Sequence, residues 1–232
     1  MEKALLPELN AARANRRAVI FVRHLGSGEG RLIFRDTLGE DDPLANAAKT
    51  RFWSGKSGRE TLGGEEYFLN VELPAPRIVI IGAVHISQAL VPMVRECGFD
   101  LTIIDPRTAF ATKQRFPSVS LLAEWPQDVL SDALIDGYTA VAAVTHDPKI
   151  DDFALQTALK NQCFYIGALG SRKTHSARLE RLRAGGFSEA QLARIDAPIG
   201  LDIGAATPAE IAVAILGQII AALRKDRPVE TA

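Results

Sequence analysis

The chain has 232 residues, of which 47% are hydrophobic, so it can form one large domain or two modest ones around a buried core. Its 27 Lys and Arg residues balance 28 Asp and Glu residues, and this net charge of −1 argues against nucleic acid or a membrane surface as a partner. No run of about 18 apolar residues occurs, and the first ten residues lack the apolar core of a signal peptide, so we expect a cytoplasmic protein.

The first part of the chain predicts a small α+β domain. Turn-forming residues GSGEG separate the first two strand-like runs, and Gly63 and Gly64 separate the last two as a second hairpin. A short helix is expected over 42–53, with a proline in its first turn. The strand-like runs are 17–24, 31–34, 59–62 and 65–73.

A linker follows this domain at the stretch LPAPR. Pro74 and Pro76 disfavour helix in the residue before each of them, so the backbone is expected to be extended there. We therefore place a domain boundary at about residue 75 and predict domains over 1–75 and 76–232.

After the linker, short apolar runs alternate with helical patterns. The runs lack the period-2 alternation of a half-exposed strand and suit strands buried on both faces of a parallel sheet. Successive right-handed crossovers predict a Rossmann-like, doubly wound α/β sheet with strand order 3-2-1-4-5. The predicted strands are 77–82, 100–105, 119–122, 138–144 and 163–167.

Helical patterns fill most of the gaps between these strands. Ser188 with Gln191 forms a capping box, and Thr207, Pro208 and Glu210 provide a start signal for a final helix that ends near residue 224. The other predicted helices are 87–97, 151–161 and 174–186.

Candidate site residues follow the strands, because ligands of such sheets bind beyond the carboxyl ends of the strands. Two of the four histidines of the chain fall in these positions, at neighbouring strands. The candidates are Gly82, Ala83, Val84, His85, Asp105, Arg107, His146, Asp147, Gly167, Gly170, Ser171, Arg172, Lys173 and Asp202.

The first strand-to-helix turn partly matches a dinucleotide-binding fingerprint. Asp105 lies 23 residues after Gly82, about where an acid that binds a ribose diol is expected. Val84 and Ser87, however, stand where the second and third glycines of the fingerprint would be. The sequence leaves two alternatives open at this turn, namely NAD or NADP binding and a turn that holds no nucleotide.

The turn after the fifth strand predicts a phosphate-binding site. Gly167 and Gly170 allow the backbone to bend, and Ser171 can cap the next helix. Arg172 and Lys173 in the first helical turn oppose the helix dipole unless an anion binds with them.

Other charged residues have ordinary structural interpretations. Arg178, Arg181 and Arg183 are expected on a solvated helical face, and Asp151 and Asp152 at the start of a helix, where acids favour the dipole.

His85 and His146 with Asp147 match no known metal-ligand spacing, so we predict that they hydrogen-bond a loop or a ligand. Asp202 lies in a glycine-rich loop before the final helix, and this loop either approaches a ligand or forms a plain tight turn.

Two cysteines are too few for a disulfide framework or a zinc site. Cys97 and Cys163 are both predicted to be buried, at the edge of the sheet opposite the ligand site. No motif of a catalytic nucleophile occurs, so no catalytic residue is assigned.

Five segments of the second domain resemble one known family. In order and spacing they are similar to the carboxyl-terminal domain of the xanthine dehydrogenase accessory proteins, the XdhC/CoxI family, over about residues 76–224. The segments are GAVHISQAL, IIDPRTAFATKQRFP, AVAAVTHDPKIDDFALQTAL, YIGALGSRKTHSARLERL and PIGLDIGAATPAEIAVAILGQIIAAL.

The resemblance implies a cytoplasmic chaperone. Such a protein binds molybdenum cofactor (molybdopterin), protects it while its terminal sulfur is installed, and delivers it to a molybdenum hydroxylase such as xanthine dehydrogenase. A cysteine desulfurase as a further partner and a homodimer are also expected on this basis.

The chain departs from the family pattern at several positions. Family members usually have glycine at the position of Val84, lysine at that of Ala206 and serine at that of Ala214. Their amino-terminal domain is longer, with G-S-x-P-R and G-G-G-x-x-E stretches that are at best remnants here.

The resemblance also implies roles for the candidate residues. The turn after Gly82 and the residues from Gly170 to Lys173 would meet the negative charge of the cofactor, and four polar side chains would orient the pterin or an attached nucleotide: His85, Asp105, His146 and Asp147. One alternative is an NAD(P)-dependent oxidoreductase with Asp105 on the ribose, Arg107 on a 2′-phosphate and His146 as proton donor. Another is a ligand-free scaffold that docks on a dehydrogenase.

Overall fold

The computed structural model describes residues 5–131 and 134–224 of the chain. The chain forms two compact units, and it passes from the first to the second between Pro74 and Ala75. The first four residues of the predicted domain 1–75, and residues 132–133 and 225–232 of the predicted domain 76–232, lie outside the described part.

The first unit contains a four-stranded antiparallel sheet. Its strand order is β2-β1-β4-β3, and Gly63 and Gly64 join β3 to β4 with positive φ angles of 61° and 85°, as a two-residue hairpin turn requires. The elements are α1 (Leu6–Ala14), β1 (Val19–His24), β2 (Gly30–Phe34), α2 (Ala45–Ser54), β3 (Gly58–Leu62) and β4 (Glu65–Glu72).

Two helices of this unit differ from the sequence prediction. The α1 helix was not predicted, and it packs Leu9 and Ala12 against Val19. The α2 helix begins at Ala45, after the predicted start at residue 42, because the Asp42 carboxylate binds the guanidinium of Arg31 and the Asp42 carbonyl closes a turn onto the amide of Ala45.

The second unit alternates strands and helices. Every strand pairing in its six-stranded sheet is parallel. The elements are β5 (Arg77–Ile81), α3 (His85–Glu96), β6 (Asp100–Ile104), β7 (Ser120–Leu122), α4 (Pro126–Val129), β8 (Thr139–Ala143), α5 (Pro148–Lys160), β9 (Tyr165–Ala168), α6 (Arg172–Ala184), α7 (Glu189–Leu192), β10 (Ile195–Asp196) and α8 (Pro208–Arg224).

The sheet order β10-β9-β8-β5-β6-β7 confirms the predicted Rossmann-like topology. The five predicted strands take the order 3-2-1-4-5 from β7 to β9. The sixth strand, β10, was not predicted because it has only two residues, Ile195 and Asp196, and therefore no apolar run.

Helices cover both faces of this sheet. Ile78 and Ile80 pack in a cluster with residues of α3 and α8, whereas Val79 and Ile81 pack in a second cluster with residues of α5 and α6. All four of these side chains are fully buried, which explains why the strand reads as a continuous apolar run.

Several helices begin at other residues than predicted. The α5 helix begins at Pro148, not at residue 151, because Asp147 caps it by accepting a hydrogen bond from the amide of Lys149. The α3 and α6 helices begin two residues before their predicted starts, at His85 and Arg172.

The two predicted capping motifs are confirmed. Ser188 and Gln191 form a capping box at α7. At α8, Glu210 accepts hydrogen bonds from the amides of Ala206 and Thr207, and the Thr207 hydroxyl accepts one from the amide of Glu210.

The prediction that both cysteines are buried is wrong for Cys97. Cys97 is exposed at the end of α3, while Cys163 is buried, and both are free thiols. Burial raises the pKa of the Cys163 thiol to about 12. Across residues 5–131 and 134–224, the helices lack the combination of length and apolar character that crossing a membrane requires.

Candidate functional site

The turn after β5 packs directly on the turn after β8. Gly82 has a φ of 121°, and a Cβ atom at this position would lie 2.8 Å from Thr145 Cγ2 and 3.2 Å from Val144 Cγ2. Both the conformation and the close approach therefore require glycine. This contact joins two of the loops at which the sequence predicts the site.

Val84 is accommodated in this turn without backbone strain. Its φ of −102° and ψ of 178° are extended values that a β-branched residue adopts readily, and its side chain packs against the core. The buried Ser87 hydroxyl, at the position of the third fingerprint glycine, donates a hydrogen bond of 2.6 Å to the carbonyl of Gly82. The turn thus forms without the second and third glycines.

Asp105 braces the same turn from the end of β6. Its fully buried carboxylate accepts hydrogen bonds from the Ala83 amide (2.7 Å) and, at 2.9, 2.9 and 2.7 Å, from the amide, Nε and Nη2 of Arg107. Burial alone would raise the pKa of Asp105, but these hydrogen bonds hold it below its ordinary value. The carboxylate is therefore engaged within the protein.

Arg115 supports the turn from its other side and was not predicted. Its Nη1 donates hydrogen bonds to the carbonyls of Ala83 (2.9 Å) and Phe110 (2.8 Å), and its Nη2 donates to Gln88 Oε1 (2.8 Å). Arg115 lies in the irregular segment between β6 and β7, where no periodic pattern signals its contacts.

The turn after β8 is organised around Asp151. The Thr145 hydroxyl donates to Asp151 Oδ1 (2.6 Å) and accepts from the Asp147 amide (3.0 Å), and the His146 amide donates to Asp151 Oδ2 (3.1 Å). His146 has a φ of 67°, in the left-handed region that is uncommon for residues other than glycine. Asp147 acts as the cap of α5.

Asp151 lies at the start of a helix, as predicted, but it is also a core residue. It lies in the first turn of α5, is 1% exposed, and does not face solvent. Burial raises the pKa of Asp151 to about 6, against the opposing effects of the Thr145 hydrogen bond and the positive charge of Arg178. Its neighbour Asp152 instead forms an ion pair with Arg181.

The turn after β9 begins later than predicted, because β9 extends to Ala168. Gly167 is therefore inside the strand, where a Cβ atom would lie 2.5 Å from Tyr165 Oη and 2.6 Å from Ile199 Cγ1. Close packing explains the glycine at this position. Gly170, with a φ of 142°, makes the turn, and the Ser171 hydroxyl caps α6 by accepting from the Thr174 amide (3.2 Å).

The basic residues of α6 divide into three groups. Arg172 and Lys173 are exposed in the first turn, which contains no acid. Arg181 and Arg183 lie on the solvated face, as predicted, and pair with Asp152 and Glu189. The same prediction is wrong for Arg178, which is 2% exposed. Its spacing of four from the buried Leu182 was a signal that the two share a helical face.

Electrostatic interactions link charged residues of these turns at the edge of the sheet. The carboxylates of Asp105, Asp147 and Asp151 raise the pKa of Arg107. The same Asp151 carboxylate opposes the fall in the pKa of Arg178 that burial causes. The residues that follow β6, β8 and β9 therefore interact at the carboxyl edge.

The remaining candidates are exposed residues at this edge. His85 begins α3, His146 follows β8, and Asp202 lies in the segment after β10. In the described ranges, no group of three or more His, Cys, Asp and Glu side chains is arranged to hold a metal ion.

These features define a Rossmann-type domain in which the turns after β5, β8 and β9 lie at the carboxyl edge of a doubly wound sheet. The family model described as the XdhC Rossmann domain matches residues 78–219. The chain belongs to this family, which confirms the resemblance drawn from its motifs.

Three curated relatives match a large part of the chain. The uncharacterized protein YqeB of Escherichia coli is 28% identical over 208 residues, which are 84% of this chain and 38% of YqeB. A Bacillus subtilis protein, named as a probable subunit of xanthine dehydrogenase, is 30% identical over 148 residues, 63% of this chain and 43% of that protein. The molybdenum cofactor insertion chaperone PaoD of E. coli is 30% identical over 146 residues, which are 63% of this chain and 40% of PaoD. The matched segments thus span about two fifths of each relative.

One solved structure shares the fold over nearly the whole chain. It is described as a xanthine dehydrogenase from Bacillus halodurans, and it is 24% identical with a TM-score of 0.63. The match covers 99% of this chain and 66% of that one.

Proposed function

We propose that this protein binds molybdenum cofactor at the carboxyl edge of its six-stranded sheet and supplies the cofactor to a molybdenum hydroxylase related to xanthine dehydrogenase. No bond-making step by the protein is part of this proposal, and no side chain is assigned a catalytic role. When it is bound in a hydroxylase, the cofactor supplies the redox chemistry of molybdenum.

The family relationship is the observation that carries the proposal. PaoD, named as a molybdenum cofactor insertion chaperone, is 30% identical to this chain over 146 residues. A second relative with the same identity is named as a probable xanthine dehydrogenase subunit. A cysteine desulfurase partner, a homodimer and a cytoplasmic location remain predictions from the sequence.

The residues at the sheet edge fit an anionic cofactor. The start of α6 offers backbone amides, the exposed cations Arg172 and Lys173, and no acid in its first turn. A phosphate or dithiolene group is attracted to such a helix start. The exposed His85 and His146 would supply polar contacts to the pterin, which has hydrogen-bonding edges.

The buried and fully engaged carboxylate of Asp105 removes the main support for the oxidoreductase alternative. Binding of a ribose diol needs a carboxylate with free acceptor capacity, whereas Asp105 is fully buried and already accepts four hydrogen bonds from Ala83 and Arg107. Arg107 donates its Nε and Nη2 to the same carboxylate, so only its remaining N–H groups are available to a 2′-phosphate.

A pterin-binding measurement tests the proposal. The full chain is incubated with molybdenum cofactor and separated from free ligand, and the fluorescent pterin released by oxidation of the bound fraction is quantified. We expect stoichiometric pterin with the native chain and a large loss with the double variant Arg172→Ala and Lys173→Ala. The matched control, Arg181→Ala with Arg183→Ala, removes two paired cations from the same helix and should retain pterin.

The absence of bound pterin in a folded native chain would overturn the proposal. Saturable binding of NAD or NADP would then favour the oxidoreductase alternative. Binding to a molybdenum hydroxylase without pterin, and without an effect of the double variant, would favour the ligand-free scaffold.

A further inference from the structure

The inner face of α6 carries a buried cation that the protein does not fully satisfy. Arg178 is 2% exposed, and its Nη2 donates a hydrogen bond of 2.9 Å to the carbonyl of Leu169. Among the described residues, Arg178 Nε and Nη1 have no hydrogen-bond acceptor, and the buried Nδ1 of His175, one turn earlier, has no partner either.

Nearby carboxylates do not neutralise this cation by direct contact. Asp151 accepts its hydrogen bonds from Thr145 and His146, and Asp152 forms its ion pair with Arg181. Within residues 5–131 and 134–224, neither carboxylate forms an ion pair with Arg178. A buried guanidinium stays charged, and unmade hydrogen bonds cost it free energy, so its position favours an anionic partner.

Arg178 lies directly beneath the turn that joins β9 to α6. A Cβ atom at Gly170 would lie 3.8 Å from Arg178 Nη2 and 3.2 Å from Thr174 Cβ. Because residue 170 is a glycine, no side chain from this position covers the guanidinium. The exposed residues Ser171, Arg172 and Lys173 come immediately after it.

Two independent features of this turn thus favour negative charge. One is the start of α6, a helix of 13 residues with two cations and no acid in its first turn. The other is the buried, partly unsatisfied guanidinium of Arg178. An anion bound at the turn would interact favourably with both.

We propose that the segment 169–174 and Arg178 form the phosphate-binding site of this protein, with Arg178 as the residue that determines affinity. The proposal rests on the proposed function and assigns the phosphate ester of the ligand to this turn. The exposed Arg172 and Lys173 attract the anion, and Arg178 supplies charge-assisted hydrogen bonds in a desolvated environment. Burial and the positive charge of Arg178 lower the pKa of His175, which lies one turn earlier on the same helix.

Inorganic phosphate is the probe for this proposal. Its dissociation constant is measured by calorimetry with the full chain, at constant ionic strength adjusted with chloride. We expect Arg178→Met to weaken phosphate binding at least tenfold, because it removes the charge and the donors. Arg181→Met removes an exposed, paired cation of the same helix and should leave the constant unchanged.

A second measurement applies to the native chain, in case Arg178→Met does not fold. The ¹⁵N NMR signal of the Arg178 Nε–H group should shift on titration with phosphate and not with chloride. The proposal is overturned if this signal does not respond at saturating phosphate, or if a folded Arg178→Met variant binds phosphate as tightly as the native chain.

The outcomes separate this inference from the proposed function. Phosphate binding that depends on Arg178, without binding of pterin, would support the phosphate-binding site and overturn the proposal that the protein binds molybdenum cofactor. Pterin binding that is unchanged in Arg178→Met would support the proposal that the protein binds molybdenum cofactor, and it would overturn the role of Arg178 in the phosphate-binding site.

Discussion

Asp151 is an acid whose environment makes the stability of the protein depend on pH. It is 1% exposed, and its pKa is about 6 in the folded chain against an ordinary value of 3.8. Because the fold favours the protonated form, the contribution of Asp151 to stability is greatest below pH 4 and decreases as the pH rises to about 6. The decrease amounts to about 3 kcal/mol.

The variant Asp151→Asn should lack this dependence. We expect the free energy of unfolding of the native chain, minus that of the variant, to fall between pH 4 and pH 6.5 in urea titrations. Thr157→Ala, on the same helix, changes no ionisable group, so its difference from the native chain should be constant. Parallel curves for Asp151→Asn and the native chain would contradict the assignment.

For individual residues, the sequence predicts where a residue lies in the fold better than it predicts what its side chain does. The rule that ligands bind beyond the strand ends selected Gly82, Asp105 and Asp147, and all three take part in the turns at that edge. The burial of Asp151 and Arg178 was missed, because it depends on how α5 and α6 pack on the sheet, and a charged residue is usually assumed to be exposed.

At the scale of elements, Gln218 connects α8 to the first residue of β9 and to the loop after β10. Its Oε1 accepts a hydrogen bond from the buried Tyr165 hydroxyl (2.7 Å) and one from the amide of Gly200 (2.6 Å), in the loop after β10. One side-chain oxygen thus satisfies two donors from two other parts of the domain.

Gln218→Leu keeps the volume of the side chain but leaves both donors without this acceptor. We expect it to lower the free energy of unfolding by about 2 to 4 kcal/mol, since each unsatisfied buried donor costs about 1 to 3 kcal/mol. Chemical denaturation measures the loss. Val213→Ala, an exposed position on the same helix, should change it by less than about 0.5 kcal/mol. A similarly small loss for Gln218→Leu would show that water replaces the acceptor.

The order of elements was predictable because most strands are continuous apolar runs and the helices between them have regular periodicity. The elements that were not predicted, or that were predicted with other bounds, differ for physical reasons. The α1 helix buries only Leu9 and Ala12, so its amphipathic pattern is weak. The early start of α5 depends on a cap by Asp147, and the sequence alone did not distinguish this cap from a ligand contact.

At the scale of the whole molecule, the second unit has a complete core of its own. The two clusters on the faces of its sheet contain only residues between Ile78 and Ala222. We expect a fragment of residues 75–232 to fold without the preceding residues and to unfold cooperatively on heating, as followed by circular dichroism with the full chain as reference. A gradual transition without a defined midpoint would contradict this domain boundary.

The six-stranded sheet ends in very short strands on both sides. The outer strands are β7, with three residues, and β10, with two. Each edge therefore offers few unpaired backbone groups to a strand from another molecule, which protects the domain against edge-to-edge aggregation. Self-association through this sheet by strand addition is accordingly disfavoured, and a homodimer of the domain would have to be built from side-chain contacts.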